Sequence, residues 1–218
     1  MKNRLRFFVE KIGKGDESLK TKCALIVAAV VIFISCVIVI FYGYRKSGFF
    51  LDEIYSYGLS NSHYAPFLRD VKDGEIREKV FLRQELLDYV TVGKIKFDYK
   101  SVYYNQTRDV HPPFYYWILN MISSVFPFTF SKWIGIGVNL IFFVITLASL
   151  FFLTYKMFDD YRISGVVAVL YGTSKAAIST AVMIRMYMLM TMFTVLLTLC
   201  VYEIREGEKR RKILFPIL

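Results

Sequence analysis

Cysteine and histidine are scarce in this sequence, at three and two residues. Cys23, Cys36 and Cys200 each lie in an apolar run and show no CxxC spacing. Neither a disulfide framework nor a conventional structural zinc site is encoded, and the three cysteines read as small buried hydrophobes. A magnesium or manganese ion held by carboxylates stays compatible with that absence, so no cofactor is certain and a divalent metal is an open option. No internal repeat and no low-complexity tract is visible. Acidic residues are outnumbered 18 to 28, a formal net charge of +10. The excess sits at the two ends: residues 1–22 hold seven Lys/Arg against three Asp/Glu, residues 163–218 again hold seven against three, and residues 45–111 hold eleven against ten. Such a distribution argues against a nucleic-acid partner and matches juxtamembrane charge.

What the chain has in abundance is apolar surface. It is 56% hydrophobic and 17% aromatic over 218 residues, with a mean hydropathy of +0.43. Long stretches are apolar on every face of any helix drawn through them, which is the pattern of an integral membrane protein with membrane lipids as its surroundings. The uncharged run from Cys23 to Tyr42 is about 20 residues, the length that spans a hydrocarbon core about 30 Å thick. The basic stretch before it raises the option of a cleaved signal peptide. No A-x-A-like site follows, however, and Tyr42, Tyr44, Arg45 and Lys46 form an interfacial collar, which favours a retained anchor with a cytoplasmic N-terminus.

The expected fold is an all-α multi-span helical bundle with a long extracytoplasmic first loop. Residues 1–22 form a cytoplasmic basic N-terminus, 23–44 the first transmembrane helix, and 45–111 an extracytoplasmic loop. Within that loop Asp70–Val92 reads as amphipathic helix lying along the membrane surface. Residues 112–204 hold a short membrane-entering helix and about three transmembrane helices, and 205–218 a basic cytoplasmic segment and the start of a truncated further span. Pro112–Phe126 offers roughly 22 Å of helix, short of a full crossing. With Arg205, Lys209, Arg210, Arg211 and Lys212 inside, the full spans must be even in number, and four is the simplest count. Arg185 then emerges on the outer side with the loop; were the short helix to span, it would face the cytoplasm.

Three groups of residues could carry chemistry. Asp52 and Glu53 follow the first span among aromatics, where a desolvated carboxylate suits general-base work. A plainer alternative is a pair hydrated at the interface or bound to Arg45 or Lys46. In Asp109-Val110-His111-Pro112-Pro113, Asp109 and His111 point the same way in an extended segment, where the imidazole could bind a phosphate and the acid orient it or assist proton transfer. The bland alternative is a capped helix start with Tyr115 and Tyr116 as interfacial anchors. In Ile184-Arg185-Met186-Tyr187, a helix would hold Arg185 and Tyr187 close, and Arg185 supplies a planar charged fork suited to phosphate. Its alternative is an Arg snorkelling to an interface. Asn105-Gln106-Thr107 fits the N-glycosylation pattern, which occurs often by chance and is assigned no role.

In this order and after a first span, these elements resemble the membrane glycosyltransferases of the GT-C superfamily, closest to the protein mannosyltransferase and aminoarabinose-transferase-like branch. The likeness runs from about residue 20 onward, and Asp109-Val110-His111-Pro112-Pro113 is its most specific motif. It implies a plasma-membrane enzyme, active on the extracytoplasmic side, that moves a sugar from a polyprenyl-phosphate donor to a lipid, protein or glycan acceptor. Under it Asp52 deprotonates the acceptor and Glu53 positions it. His111 and Arg185 contact the donor phosphate, Tyr187 supports Arg185, and Tyr115 and Tyr116 line the lipid entrance. Met183 stands where the family often has an acid, so any contact made by that acid is absent. Family members are usually much longer, and the chain reads as an N-terminal part. The other reading is a non-catalytic membrane protein binding a polyprenyl phosphate or a partner subunit. A third, a transporter or channel subunit, explains Arg185 but not the acidic pair.

Overall fold

The computed structural model describes the backbone of residues 2–68 and 81–214, with side chains for 18–68 and 81–207. Among the described residues all regular structure is helical: α1 (Lys2–Arg45), α2 (Leu51–Asn61), α3 (Arg83–Val90), α4 (Tyr99–Gln106), α5 (Phe114–Val125), α6 (Lys132–Phe158), α7 (Tyr161–Gly172), α8 (Lys175–Val182) and α9 (Tyr187–Leu214). Three stretches are long and apolar enough to cross a membrane: Ser18–Arg45 of α1, all of α6, and Tyr187–Gly207 of α9. The pair α7 and α8 passes the same test jointly but is bent by 57°. Three of the four full spans expected thus have a single long helix, and the count reaches four if the bent pair is taken as one span. The break has a local cause: the Ser174 hydroxyl accepts from the Ala177 N–H at 3.1 Å and so caps a new helix start directly after Gly172 and Thr173.

Two boundaries read from charge do not coincide with structural ones. α1 is continuous from Lys2 through the first span, and α9 carries the basic cluster through to Leu214. Charge marks where an apolar run ends, whereas the backbone hydrogen bonds of a helix continue across it. The first part of the amphipathic stretch expected from Asp70, up to residue 80, lies outside the described residues, as do residues 215–218 of the expected further span. The described part of the stretch contains α3, with Tyr89 and Val90 buried and Arg83 and Gln84 exposed.

The chain forms two compact units. One comprises Met1–Ile38, Phe143–Ile178 and Thr191–Leu218. In it α1 packs closely where small residues allow: a Cβ on Gly165 would lie 2.9 Å from Val27, and one on Gly172 only 2.4 Å from the Ser35 hydroxyl. Phe143 stacks on Tyr171 with ring centroids 6.3 Å apart, and Lys156 pairs with Glu203.

The other unit comprises Val39–Phe142 and Ser179–Met190. Its centre is α2, which packs on α3, α4 and α5. Buried amides join the helices: Asn120 Nδ2 donates to the Ser60 carbonyl at 2.8 Å, Asn61 Nδ2 to the Val90 carbonyl at 2.8 Å, and Asn105 Nδ2 to the Ser62 carbonyl at 3.0 Å. Such bonds give directional contacts between helices whose apolar faces alone would not fix a register. The Tyr57 hydroxyl donates to the Ser131 carbonyl at 2.7 Å and accepts from the Gly135 N–H at 2.9 Å. Burial pushes its acidity well below that of an ordinary phenol, so it keeps the proton that the first bond needs.

Candidate functional site

All eight residues singled out in the sequence lie in the unit built around α2. Phe50 precedes α2 with extended backbone, and its N–H donates to Glu53 Oε2 at 2.8 Å. A carboxylate three residues into a helix reaches back in this way to satisfy a donor that the helix leaves open. That fixes Glu53 inward, and Asp52, about 100° away around the helix, faces outward. The side chain of Glu53 is 0% exposed and that of Asp52 is 53% exposed.

The expectation of a desolvated acidic pair is thus corrected. Glu53 alone is desolvated, and it is fully engaged: besides Phe50 it accepts from Lys46 Nζ at 2.9 Å and from the Ile184 N–H at 2.8 Å. Pairing with Lys46, the plainer alternative, holds for Glu53. Asp52 instead faces Arg185, whose Nη2 lies 3.6 Å from Asp52 Oδ2 and whose Nη1 donates to the Asp52 carbonyl at 3.4 Å.

Arg185 is not on a helix. Residues 183–186 are a non-helical connection between α8 and α9, and Tyr187 opens α9 with 41% of its surface exposed. The helical neighbourhood expected for Arg185 and Tyr187 is replaced by tertiary bonds. The Met183 carbonyl accepts from Asn139 Nδ2, and the Ile184 N–H goes to Glu53. The Arg185 side chain is 10% exposed, and its Nε has no hydrogen-bond partner among the described residues. A guanidinium carries five donors, so this one is buried with capacity to spare for an acceptor.

The second motif supplies a neighbouring pair. His111 Nδ1 and Asp109 Oδ2 lie 2.8 Å apart, the side chains 16% and 17% exposed. The two prolines then lead into α5, where the Pro113 carbonyl accepts from the Trp117 N–H at 2.9 Å. Tyr115 and Tyr116 follow at 1% and 0% exposure, in the core rather than on an open face. The reason is that α5 is covered: Tyr115 meets Asn139 and Phe142 of α6, with ring centroids to Phe142 6.5 Å apart, and Tyr116 meets Ser56 of α2. Tyr115 donates to Asn139 Oδ1 at 3.2 Å. Tyr116 is beside Ser56 and within the field of Arg185 and Asp109, and so is the side chain between the second and third motifs.

Asn139 is the residue that the sequence did not disclose as part of this arrangement; its signal was a lone amide in the otherwise apolar run from Trp133 to Phe158. Asn105, in the glycosylation-like tripeptide, is 0% exposed and bonded through Nδ2, the atom a glycan would need. Among the described residues no group of three or more His, Cys, Asp or Glu is disposed to hold a metal ion.

Chemically, the arrangement offers one accessible carboxylate, one buried cation with an unused donor, and an imidazole oriented by an acid. No known protein family, curated protein or solved structure matches this chain.

Proposed function

We propose that the chain is a multi-pass membrane glycosyltransferase of the GT-C type, or the N-terminal part of one, that uses a polyprenyl-phosphate sugar donor on the extracytoplasmic side of the plasma membrane. The observation that carries this reading is the contrast at the site: Arg185 is buried with no partner for Nε among the described residues, and Asp52 beside it stays accessible. A buried, under-bonded guanidinium favours a bound anion, and a phosphate oxygen is the acceptor its fork fits best.

In this reading the donor phosphate takes Arg185 from Asp52, with His111 as the second contact to the phosphate and Asp109 orienting the imidazole. The acceptor hydroxyl attacks the anomeric carbon, its proton passes to Asp52, and the bond from that carbon to the phosphate oxygen breaks. Polyprenyl phosphate leaves with its charge compensated by Arg185. Glu53 positions the site through Lys46 and Ile184 and takes no proton.

A second reading, a membrane protein that holds polyprenyl phosphate without turnover, draws on the same contact, because a carboxylate 3.6 Å from a guanidinium already has an ionic partner. Reconstituted protein, labelled polyprenyl-phosphate sugars and membrane extract as acceptor separate the two. Transfer by wild type that is lost in Asp52→Asn supports the enzyme. Capture of the donor by wild type with no transfer supports the binding protein, and neither capture nor transfer overturns both.

A further inference from the structure

Backbone in the left-handed region is costly for residues other than glycine, roughly 1–2 kcal/mol each, and most of all for bulky side chains. Within the α2 unit, Phe97 has φ 55° and Phe128 has φ 58°. Both rings are exposed, at 46% and 68%. Neither strain serves the core, yet each backbone is pinned: the Phe97 N–H donates to Ser124 Oγ at 2.8 Å, and the Phe128 N–H to the Val92 carbonyl at 2.9 Å. The second bond ties the loop that carries Phe97 to the turn that carries Phe128. Phe128 lies four residues before α6, a helix long and apolar enough to cross a membrane. A ring at that place in the chain is near the level where such a helix meets the headgroups.

The loop also alternates. Lys94, Ile95, Lys96 and Phe97 are all exposed, two cations interleaved with two apolar side chains. Asp98, the nearest acid in sequence, is engaged by His63 at 2.7 Å and by the Ser101 N–H at 3.2 Å. Lysines beside exposed apolar side chains at the end of a span match the headgroup layer of a bilayer, in which the rings enter the acyl boundary and the ammonium groups meet phosphates.

We infer that the Lys94–Phe97 loop and Phe128 form an interfacial anchor that seats in the headgroup layer of an anionic bilayer, Lys94 and Lys96 binding lipid phosphates while Ile95, Phe97 and Phe128 enter the acyl boundary. The inference is independent of any sugar-transfer activity and rests on α6 crossing the membrane.

The test uses the full chain with Cys23, Cys36 and Cys200 replaced by serine and an environment-sensitive fluorophore on Ile95→Cys. The protein is placed in nanodiscs of phosphatidylcholine with or without phosphatidylglycerol. The expected result is a blue-shifted label quenched by lipids that carry a spin label high on the acyl chain and shielded from aqueous iodide. Enrichment of phosphatidylglycerol around the protein should fall roughly fivefold for each lysine removed in Lys94→Gln and Lys96→Gln. Quenching by iodide with none by the spin-labelled lipid overturns the anchor. Unchanged phosphatidylglycerol enrichment in the doubly substituted chain overturns the role of the lysines.

Discussion

The Ile184 amide donates to the Glu53 carboxylate at 2.8 Å across 131 positions of sequence. A side chain at the start of α2 thereby takes the place of a helical partner for the connection between α8 and α9, and Arg185 is presented next to Asp52 as a result. The acidic pair is two different devices: Glu53 builds the site and Asp52 is exposed within it.

Asp52→Asn is expected to leave the fold intact, since the side chain is half exposed and its ionic contact with Arg185 is long. It should lower sugar transfer by a factor of about 10² to 10⁴, the usual contribution of a positioned general base. Equal transfer rates for the two proteins at saturating donor would remove Asp52 from the reaction. Arg185→Lys, which keeps the charge but loses the fork, should weaken donor binding by roughly 1.5–3 kcal/mol in a direct binding assay.

Glu53→Ala should behave in the opposite way. It leaves Lys46 buried at 9% exposure without its partner and strips an acceptor from two backbone amides. Breaking a buried pair in this manner costs about 3–5 kcal/mol, visible as a fall in the thermal unfolding midpoint in detergent. Changing both partners to apolar residues, Lys46→Met with Glu53→Leu, should recover part of that loss, and a purely additive double variant would show that the pair is not coupled.

Gly135→Ala probes the site from behind. A Cβ there would lie 2.3 Å from Ile184 Cγ2 and 2.8 Å from Cγ1, and Ile184 is fully buried, so it has little room to yield. Overpacking should cost roughly 1–3 kcal/mol. Because Ile184 precedes Arg185 directly, donor capture should fall as well, although residue 135 touches no ligand in the proposed mechanism. Wild-type capture in a stably folded Gly135→Ala protein would show that the connection tolerates the shift.

Asn105→Asp should destabilise more than its similar size suggests. The wild-type Nδ2 donates to the Leu59 and Ser62 carbonyls, and an ionised carboxylate would face those same acceptors with nothing to donate. The expected loss is of order 1–3 kcal/mol or more, measured by denaturant or thermal unfolding.

The three helices long and apolar enough to cross a membrane were legible because hydropathy over about twenty residues is a property of composition. The closeness of Asp109 to His111 was legible from their spacing, but not for the reason expected: residues 107–111 are turns and bends, with the Asp109 N–H bonded to the Gln106 carbonyl at 3.1 Å, and not an extended segment. The break around Arg185 was not. Met183-Ile184-Arg185-Met186 holds no glycine or proline, so nothing local marks the end of a helix. Its conformation is decided by Asn139 and Glu53, partners distant in sequence. The burial of Tyr115 and Tyr116 was hidden for a related reason: a tyrosine after a pair of prolines reads equally well as an interfacial anchor or a core residue until the helices that cover it are known.

The separation between Glu53 and Ile184 also imposes an order on assembly. A chain made from its N-terminus completes α2 long before residue 184 exists, and until then Glu53 can hold only its near neighbours Lys46 and Phe50. The last strong acceptor position of that carboxylate stays vacant through the synthesis of α3 to α8. Ribosome-bound chains halted before residue 184 would therefore carry Glu53 without this bond, which is made in one late step once the connection between α8 and α9 has been synthesised.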